Sequence, residues 1–530
     1  MKFNSKLIIM ALAGCSLVGC ADLDTEPLGG TVTSEQKEDV VAKNPERVKA
    51  SVTAITSMFS TYMNGATTGS YHNDIGYPAV MLFMDSRGQD LVSEDIGYNW
   101  FSGAVEMTDR SYTNVYNAML WNTLYNQVYT ANQVASVISA DTDDSTLMFY
   151  RAQALAIRAF DYFTLVQMYQ HTYSVAKDKP GVPLILDTNA NDAAANGAAR
   201  ASVEDVYAQI LKDLDEAIEK LGASDMKRED KRYVNLAVAY GLRARVNLVM
   251  QNWAEAKSDA ENAIKNSDAA PISIAEASQP GFKDINEKDW MWGILIEETD
   301  RVVTSGIVNF PSHMGSLNYG YASVGAWRCI NQKLYSQIGM TDARKGWFLD
   351  ENGKSANLTE AQQDYVTNDA GCYPYTQVKF APYADELYSS TNANDIPLMR
   401  IEEMYLIAAE AEAMAGNPAA GATALQSFVK TYRDPEYVCN AASKEAVQDA
   451  VWTQRRIELW GEGISYFDIM RLRKGVDRRG AGFQEQYVYV LDANDDNLIY
   501  QIPNAEIQAN PALTEADNNA NTSKPTPVSE

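Results

Sequence analysis

Apolar and small side chains return every three or four positions through much of this chain, the spacing of helices that bury one face. Residues 115–138 align Trp121, Tyr125, Val128, Asn132, Ala135 and Ile138 on one such face. After a polar break at 141–145 the period resumes over 147–169, where Ala152, Ala154, Ala156 and Ala159 leave room for a neighbouring helix. Pro180, Gly181 and Pro183 follow and end the run. Ser202 is placed to cap a helix carrying Val206, Ile210, Leu214, Ala217 and Leu221, with Asp205 in the position that completes a capping box. Helices are predicted over 235–250 and 253–264, with only Gln251 and Asn252 between them. So short a link makes antiparallel neighbours. Trp253, Ala256, Ala260 and Ala263 carry the small-residue pattern of a tetratricopeptide-type helix pair, and similar helices recur at 402–416, 418–432 and 444–460. The period is imperfect. The prediction is a mostly α fold, a degenerate helical-repeat scaffold over 112–266 and 397–475.

Other segments break this pattern. Residues 64–101 and 267–395 are rich in Gly, Pro, Asn and aromatics and read as long irregular loop regions on the scaffold. A few short β-hairpins are expected, one of them pairing 487–491 with 498–502 around the polar run 492–497. Residues 20–45 read as a flexible tether, 46–511 as a single globular domain and 512–530 as a loose polar tail.

The N-terminus changes the picture. Lys2 and Lys6 precede a short apolar run, and Leu17, Val18, Gly19 and Cys20 follow. Residues 1–19 therefore read as a signal peptide, too short for a membrane span. The ending resembles a lipobox, in which the Cys20 thiol is acylated. Each buried methylene of such a lipid contributes about 0.8 kcal/mol of membrane affinity. Leu12, Ala13, Gly14 and Cys15 share the form, but cleavage there would leave a very short apolar core. Nothing later in the chain is apolar for the roughly 18 residues a spanning helix needs.

The composition, 46% hydrophobic and 22% charged, is that of a folded protein. The net charge is −26, and more negative still without the two leading lysines. Such a surface repels nucleic-acid backbones and favours neutral or cationic ligands, so no nucleic acid is expected as a partner. Beyond Cys15 and Cys20, only Cys329, Cys372 and Cys439 remain. Three widely spaced cysteines imply no disulfide framework and no zinc site, and free packed thiols are expected.

Four blocks in order resemble the SusD/RagB family. They are Trp121 and Tyr125 with Ala131 and Asn132; Arg158, Ala159, Tyr162, Phe163, Leu165, Val166 and Tyr169 with Val182, Pro183 and Leu184; Arg400, Glu403, Tyr405, Leu406, Ala409, Glu410 and Ala411; and Arg456, Glu458, Leu459, Gly461, Glu462, Gly463, Tyr466, Phe467 and Asp468. Gln501, Ile502 and Pro503, with Glu506, Ile507, Asn510 and Pro511, are similar to the family's ending. Gln170, Ser465 and Leu472 depart from it, where Gly, a basic residue and Trp are usual. The resemblance implies a SusD-like α-superhelix, lipid-anchored in the outer membrane and exposed at the cell surface. It implies a glycan ligand and a partner, a SusC-like TonB-dependent transporter. RagB-like members imply a peptide or glycopeptide ligand instead.

The acids of these blocks, Glu403, Glu410, Glu458, Glu462 and Asp468, read first as ion-pair partners. Glu458 and Glu462 share a helix face, and Arg455, Arg456 and Arg471 are close in sequence. His72, His171 and His313 show no metal-ligand spacing, and no nucleophile elbow or phosphate loop occurs. Asp492, Asn494 and Asp496 match the start of a calcium loop, but Asn497 stands where Gly is needed and Pro503 where Glu should close it. No metal, no cofactor and no catalysis are expected; a surface glycosidase built from distant carboxylates is one alternative class, and a purely structural repeat adaptor with no small ligand another.

What stands out is aromatic content in the loop regions. Tyr71, Tyr77, Tyr98, Trp100 and Phe101 form one set, and Trp290, Trp292, Phe310, Tyr319, Tyr321 and Trp327 another. Flat rings suit the C–H faces of sugars, and nearby polar groups take the hydroxyls. The candidate ligand residues are Tyr98, Trp100, Trp292, Tyr319, Tyr321 and Trp327, with Asp85, Arg87 and Asn99 for hydroxyl contacts.

Overall fold

The computed structural model describes residues 34–63, 72–93 and 100–529. Residues 1–19, Cys20, Tyr71, Tyr98 and Asn99 lie outside the described residues. Part of the expected tether is helical: α1 (Ser34–Lys43) buries Val41 and is followed directly by α2 (Glu46–Ser57). After α3 (Tyr77–Arg87) come the scaffold helices α4 (Val115–Ala135), α5 (Ser145–Tyr169), α6 (Val203–Ala223), α7 (Leu236–Met250) and α8 (Trp253–Asn266). The second set is α9 (Ile401–Met414), α10 (Pro418–Tyr432), α11 (Lys444–Glu458) and α12 (Ser465–Arg471).

Local chemistry sets the helix starts. Side chains of Asn114, Asp144, Ser202, Asn235 and Ser443 each accept a backbone N–H of the first turn that would otherwise lack a partner. At Ser202 the capping box is only half made. Its Oγ accepts from Asp205 N at 3.0 Å, but the short Asp205 carboxylate takes the Ser202 hydroxyl at 2.7 Å instead of the backbone N–H. Gln251 turns the chain between α7 and α8 in the left-handed region, at φ 64°.

α5 is the spine. Every residue from Leu147 to Tyr169 is buried, and the four alanines are fully enclosed. α4 and α6 pack on it, α7 packs on α6 and α8, and α8 packs on α9, which carries α10 and α11. The α8–α9 contact makes one continuous repeat stack from two halves that residues 267–395 separate in sequence. Among the described residues, no helix is long and apolar enough to cross a membrane.

Among the described residues the strands form four antiparallel pairs. β1 (Leu91–Ser93) pairs with β5 (Arg328–Ile330), and β2 (Pro180–Pro183) with β3 (Arg200–Ser202). β4 (Trp290–Ile294) pairs with β6 (Ile396–Arg400), and β7 (Val476–Asp477) with β8 (Val490–Leu491). The expected hairpin of 487–491 with 498–502 is not formed. Asp495 caps a tight turn by accepting Asn497 N at 2.8 Å, and Tyr500 N and Gln501 N bond instead to Met168 O and Arg110 O. Nor is the tail loose. Arg110 donates to Ala520 O and Thr522 Oγ1 at 2.7 Å, Arg200 to Asp517 O at 2.8 Å, and Val528 N reaches Val488 O at 2.9 Å.

A buried ionic cluster joins the loop region to the scaffold. Glu458 accepts from Arg344, Arg400 and Arg433 at 2.7–3.1 Å, and Glu462 accepts from Arg400 and Lys379. These partners lie far along the chain, not among the neighbouring arginines. Arg455 and Arg471 pair instead with Asp468, Arg471 also with Glu410, and Arg456 with Asp90. Burial alone would raise the Glu458 carboxyl, but Arg433, Arg400 and Arg344 overcome it and hold it well below the usual range.

Asp289 and Glu402 behave differently. Each approaches Arg400 Nη1, at 3.2 and 3.3 Å, and burial first, then mutual repulsion at Glu402, raises both above the ordinary carboxylate range. Raised folded-state values mean that the native protein binds more protons than the unfolded chain. Their contribution is therefore complete at acid pH and is lost as pH rises through the raised values. Tm measured from pH 6 to 9 should fall more steeply for wild type than for Glu402→Gln, whose neutral amide cannot ionise. Each unit of raised pKa is worth about 1.4 kcal/mol of that difference. Parallel curves would contradict the assignment.

Candidate functional site

Trp292, Asp85 and Arg87 leave the list of candidate ligand residues, as does Tyr321, which is buried as well. Trp292 is fully buried in the core, edge-on to Phe59 at 5.4 Å and to Phe160 at 5.1 Å, with Nε1 donating to Arg232 O at 3.0 Å. Asp85 accepts Gly463 N at 2.9 Å in the interior, where burial pushes its carboxyl up to about 7. Arg87 is completely enclosed, paired with Asp109 and lying over the Tyr500 ring at 4.6 Å. Both lie on α3 and fasten it to the C-terminal blocks. Enclosed in the interior, neither side chain is open to a ligand. Tyr77 and Phe310 are likewise core.

Trp100, Tyr319, Tyr321 and Trp327 are brought into the loop layer. The segment carrying the last three is built from its base upward. Arg328, whose guanidinium lies over Phe101 at 5.4 Å, donates Nε to His313 O at 3.0 Å. Asn309 caps the short helix Phe310–Met314 by accepting Ser312 N, and Ser312 Oγ accepts Tyr321 N at 3.1 Å. Gly320 lies against that helix. A Cβ there would stand 2.5 Å from Ser312 Cα, so only glycine allows the approach.

Trp100 is half-exposed and 6.0 Å from Tyr321, centroid to centroid. Tyr321 itself is buried. It is stacked on His313 at 4.8 Å and so supports the layer rather than offering a face. Trp327 is half-exposed and packs on Tyr373 at 4.0 Å. Tyr319 meets Tyr388 at 5.1 Å and 61°. Tyr388 and Tyr373 are 55% and 42% exposed, among the most open large aromatics described. Beside Tyr373 lies a surface cavity of about 290 Å³, also lined by Cys329, Glu351, Tyr375 and Gly482. Among the described residues Cys329, Cys372 and Cys439 are outside any disulfide, and Cys329 Sγ lies 3.5 Å from Thr376 Oγ1.

The segment that presents Tyr388 is strained. Ala384, Asp385, Tyr388 and Asn392 all have φ between 51° and 63°. Such non-glycine residues cost about 1 kcal/mol or more each and persist where their surroundings over-determine them. The surroundings here are the Tyr319 segment itself. Tyr388 N donates to Leu317 O, Tyr319 N to Ser389 O, and Asn392 Nδ2 to Tyr319 O, all at 2.9–3.0 Å. His72, stacked on Trp100 at 4.4 Å, and Tyr373 and Tyr388 are candidate site residues that sequence reasoning missed. An aromatic next to Cys372 and another before two serines carry no periodic signal, and His72 was considered only as a metal ligand.

Comparison with known proteins agrees with this architecture. A family model described as starch-binding associating with outer membrane matches residues 47–248. A model of the SusD family matches residues 320–519. SusD-like protein P38 of Formosa agariphila is 21% identical over 410 residues, covering 68% of this chain and 73% of that protein. A crystal structure of a SusD-like carbohydrate binding protein from Bacteroides vulgatus superposes with a TM-score of 0.73 at 22% identity, over 90% of this chain and 98% of the other. A SusD superfamily protein from Bacteroides thetaiotaomicron gives 0.68 at 19%, over 90% and 99%. With SusD-type family models together matching residues 47–248 and 320–519, this protein belongs to the SusD/RagB family.

Proposed function

We propose that this chain is a non-catalytic glycan-binding lipoprotein of the outer membrane that delivers its ligand to a SusC-like TonB-dependent transporter. The observation that carries the reading is the set of half-exposed and exposed rings, Trp100, Tyr319, Trp327, Tyr373 and Tyr388, on loops braced by long-range bonds. Rigid aromatic faces suit sugar rings because little ordering is left to do on binding. The net charge of −26 fits a neutral ligand. The family descriptions and the carbohydrate-binding relative support the ligand class.

A glycosidase reading meets a geometric obstacle. Glu403, Glu462 and Asp468 line a cavity of about 60 Å³, and each carboxylate is held by arginine or lysine. An engineered cavity of about 150 Å³, more than twice as large, holds no more than a benzene-sized guest. Incubation with polysaccharides should release no new reducing ends.

The binding test is affinity electrophoresis of the purified protein in gels containing starch, xylan, galactan or laminarin. Wild type should be retarded by one of them, and Trp100→Ala should lose most of that retardation at unchanged Tm. Retention of basic peptides with no glycan retarding the protein would replace the ligand class by that of RagB-like members. The anchor is tested by mass spectrometry of the mature N-terminus for an acylated Cys20. The partner is tested by co-purification from outer membranes. Deleting the transporter should leave glycan binding intact and stop uptake.

A further inference from the structure

Resting on that reading of the site, we infer that His72 is a positioning residue for the Trp100 platform: its imidazole backs one face of the indole and leaves the other for the sugar. The two rings are stacked at 4.4 Å with planes 4° apart. One indole face is thereby taken by protein, which explains why Trp100 is half-exposed and not open.

His72 is itself fixed from three directions. Its Nδ1 is hydrogen-bonded to the Tyr321 hydroxyl, and Tyr321 stands edge-on to both His72 and Trp100, at 5.6 and 6.0 Å. Its carbonyl oxygen lies 2.6 Å from His313 Nε2. A carbonyl only accepts, so His313 carries its proton on Nε2. Burial holds the His313 pKa down to about 3, which keeps that arrangement neutral. The next residue completes the clamp, with Asn73 Nδ2 donating to Trp100 O at 2.5 Å. Two consecutive residues thus hold the ring and the backbone of the same tryptophan. Two of the chain's three histidines serve this cluster, and neither has metal-ligand spacing.

A tryptophan held flat before the ligand arrives loses no side-chain freedom when it binds. Freeing it should weaken binding roughly 3- to 10-fold, the usual cost of ordering one such side chain. The experiment uses full-length protein labelled with 5-fluorotryptophan, the Trp100 resonance being assigned by its loss in Trp100→Phe. His72→Ala should shift or broaden that single line, leave Tm within a few degrees, and weaken binding to whichever of the four polysaccharides retards wild type most. His72→Phe, which keeps a stacking ring and gives up the hydrogen bond, should restore both the line and the affinity. An unchanged line and affinity in His72→Ala would overturn the inference, as would failure of His72→Phe to restore them. If Trp100→Ala binds as wild type, the site reading itself falls. If Trp100→Ala loses binding while His72→Ala does not, the site stands and His72 has no part in it.

Discussion

Glu458→Ala is expected to lower stability by about 3–5 kcal/mol, the usual result of removing one partner from a buried ion network. Its side chain is fully enclosed and holds Arg344, Arg400 and Arg433 together, three guanidiniums contributed by the loop region, the start of α9 and the end of α10. Deleting it leaves three cations facing one another out of reach of water. Chemical denaturation followed by circular dichroism should show a large fall in the midpoint. Glu462→Gln should show a smaller fall, because Arg400 keeps Glu458, and glycan affinity in the folded fraction should not change. Binding lost at unchanged stability would mean that these acids touch ligand, and the network reading would be wrong.

The second large effect separates two tryptophans that sequence reasoning placed together. Trp292→Ala should cost about 3–5 kcal/mol, because it empties a core position packed by Phe59 and Phe160 and leaves Arg232 O without its donor. Glycan affinity of the folded protein should stay near wild type. Trp100→Ala should do the reverse, since its ring is only partly buried, at the edge of the core. Parallel measurements of Tm and gel retardation on the two variants decide the matter. A Trp292→Ala protein of normal stability and weakened binding would reverse the assignment made from burial.

The helices were legible from the chain because what sets them acts within about four residues. Apolar spacing, N-caps and breaks located α10 at Pro418–Tyr432 as predicted, and α4 to α9 and α11 to within a few residues at their ends. Resemblance of the ordered blocks supplied the family. Residues 267–395 were recognisable as irregular, with Tyr319 to Trp327 a place to look for ligand contacts, because glycine and aromatics were concentrated there; residues 64–101, read the same way, instead contain the buried helix α3 (Tyr77–Arg87).

Folding decided the rest. β1 and β5 pair one loop region with the other, and α8 meets α9 across all of 267–395. No local pattern encodes such pairings. Trp292 and Trp100 have the same side chain, and only the elements packed around each make one core and the other platform. Glu458 found its arginines at 344, 400 and 433 rather than beside it in sequence. His72 acquired a role only when Trp100, Tyr321 and His313 were gathered around it. The division has one physical cause. Backbone conformation follows from near neighbours, whereas burial and charge pairing depend on residues that come close only when the whole chain has folded.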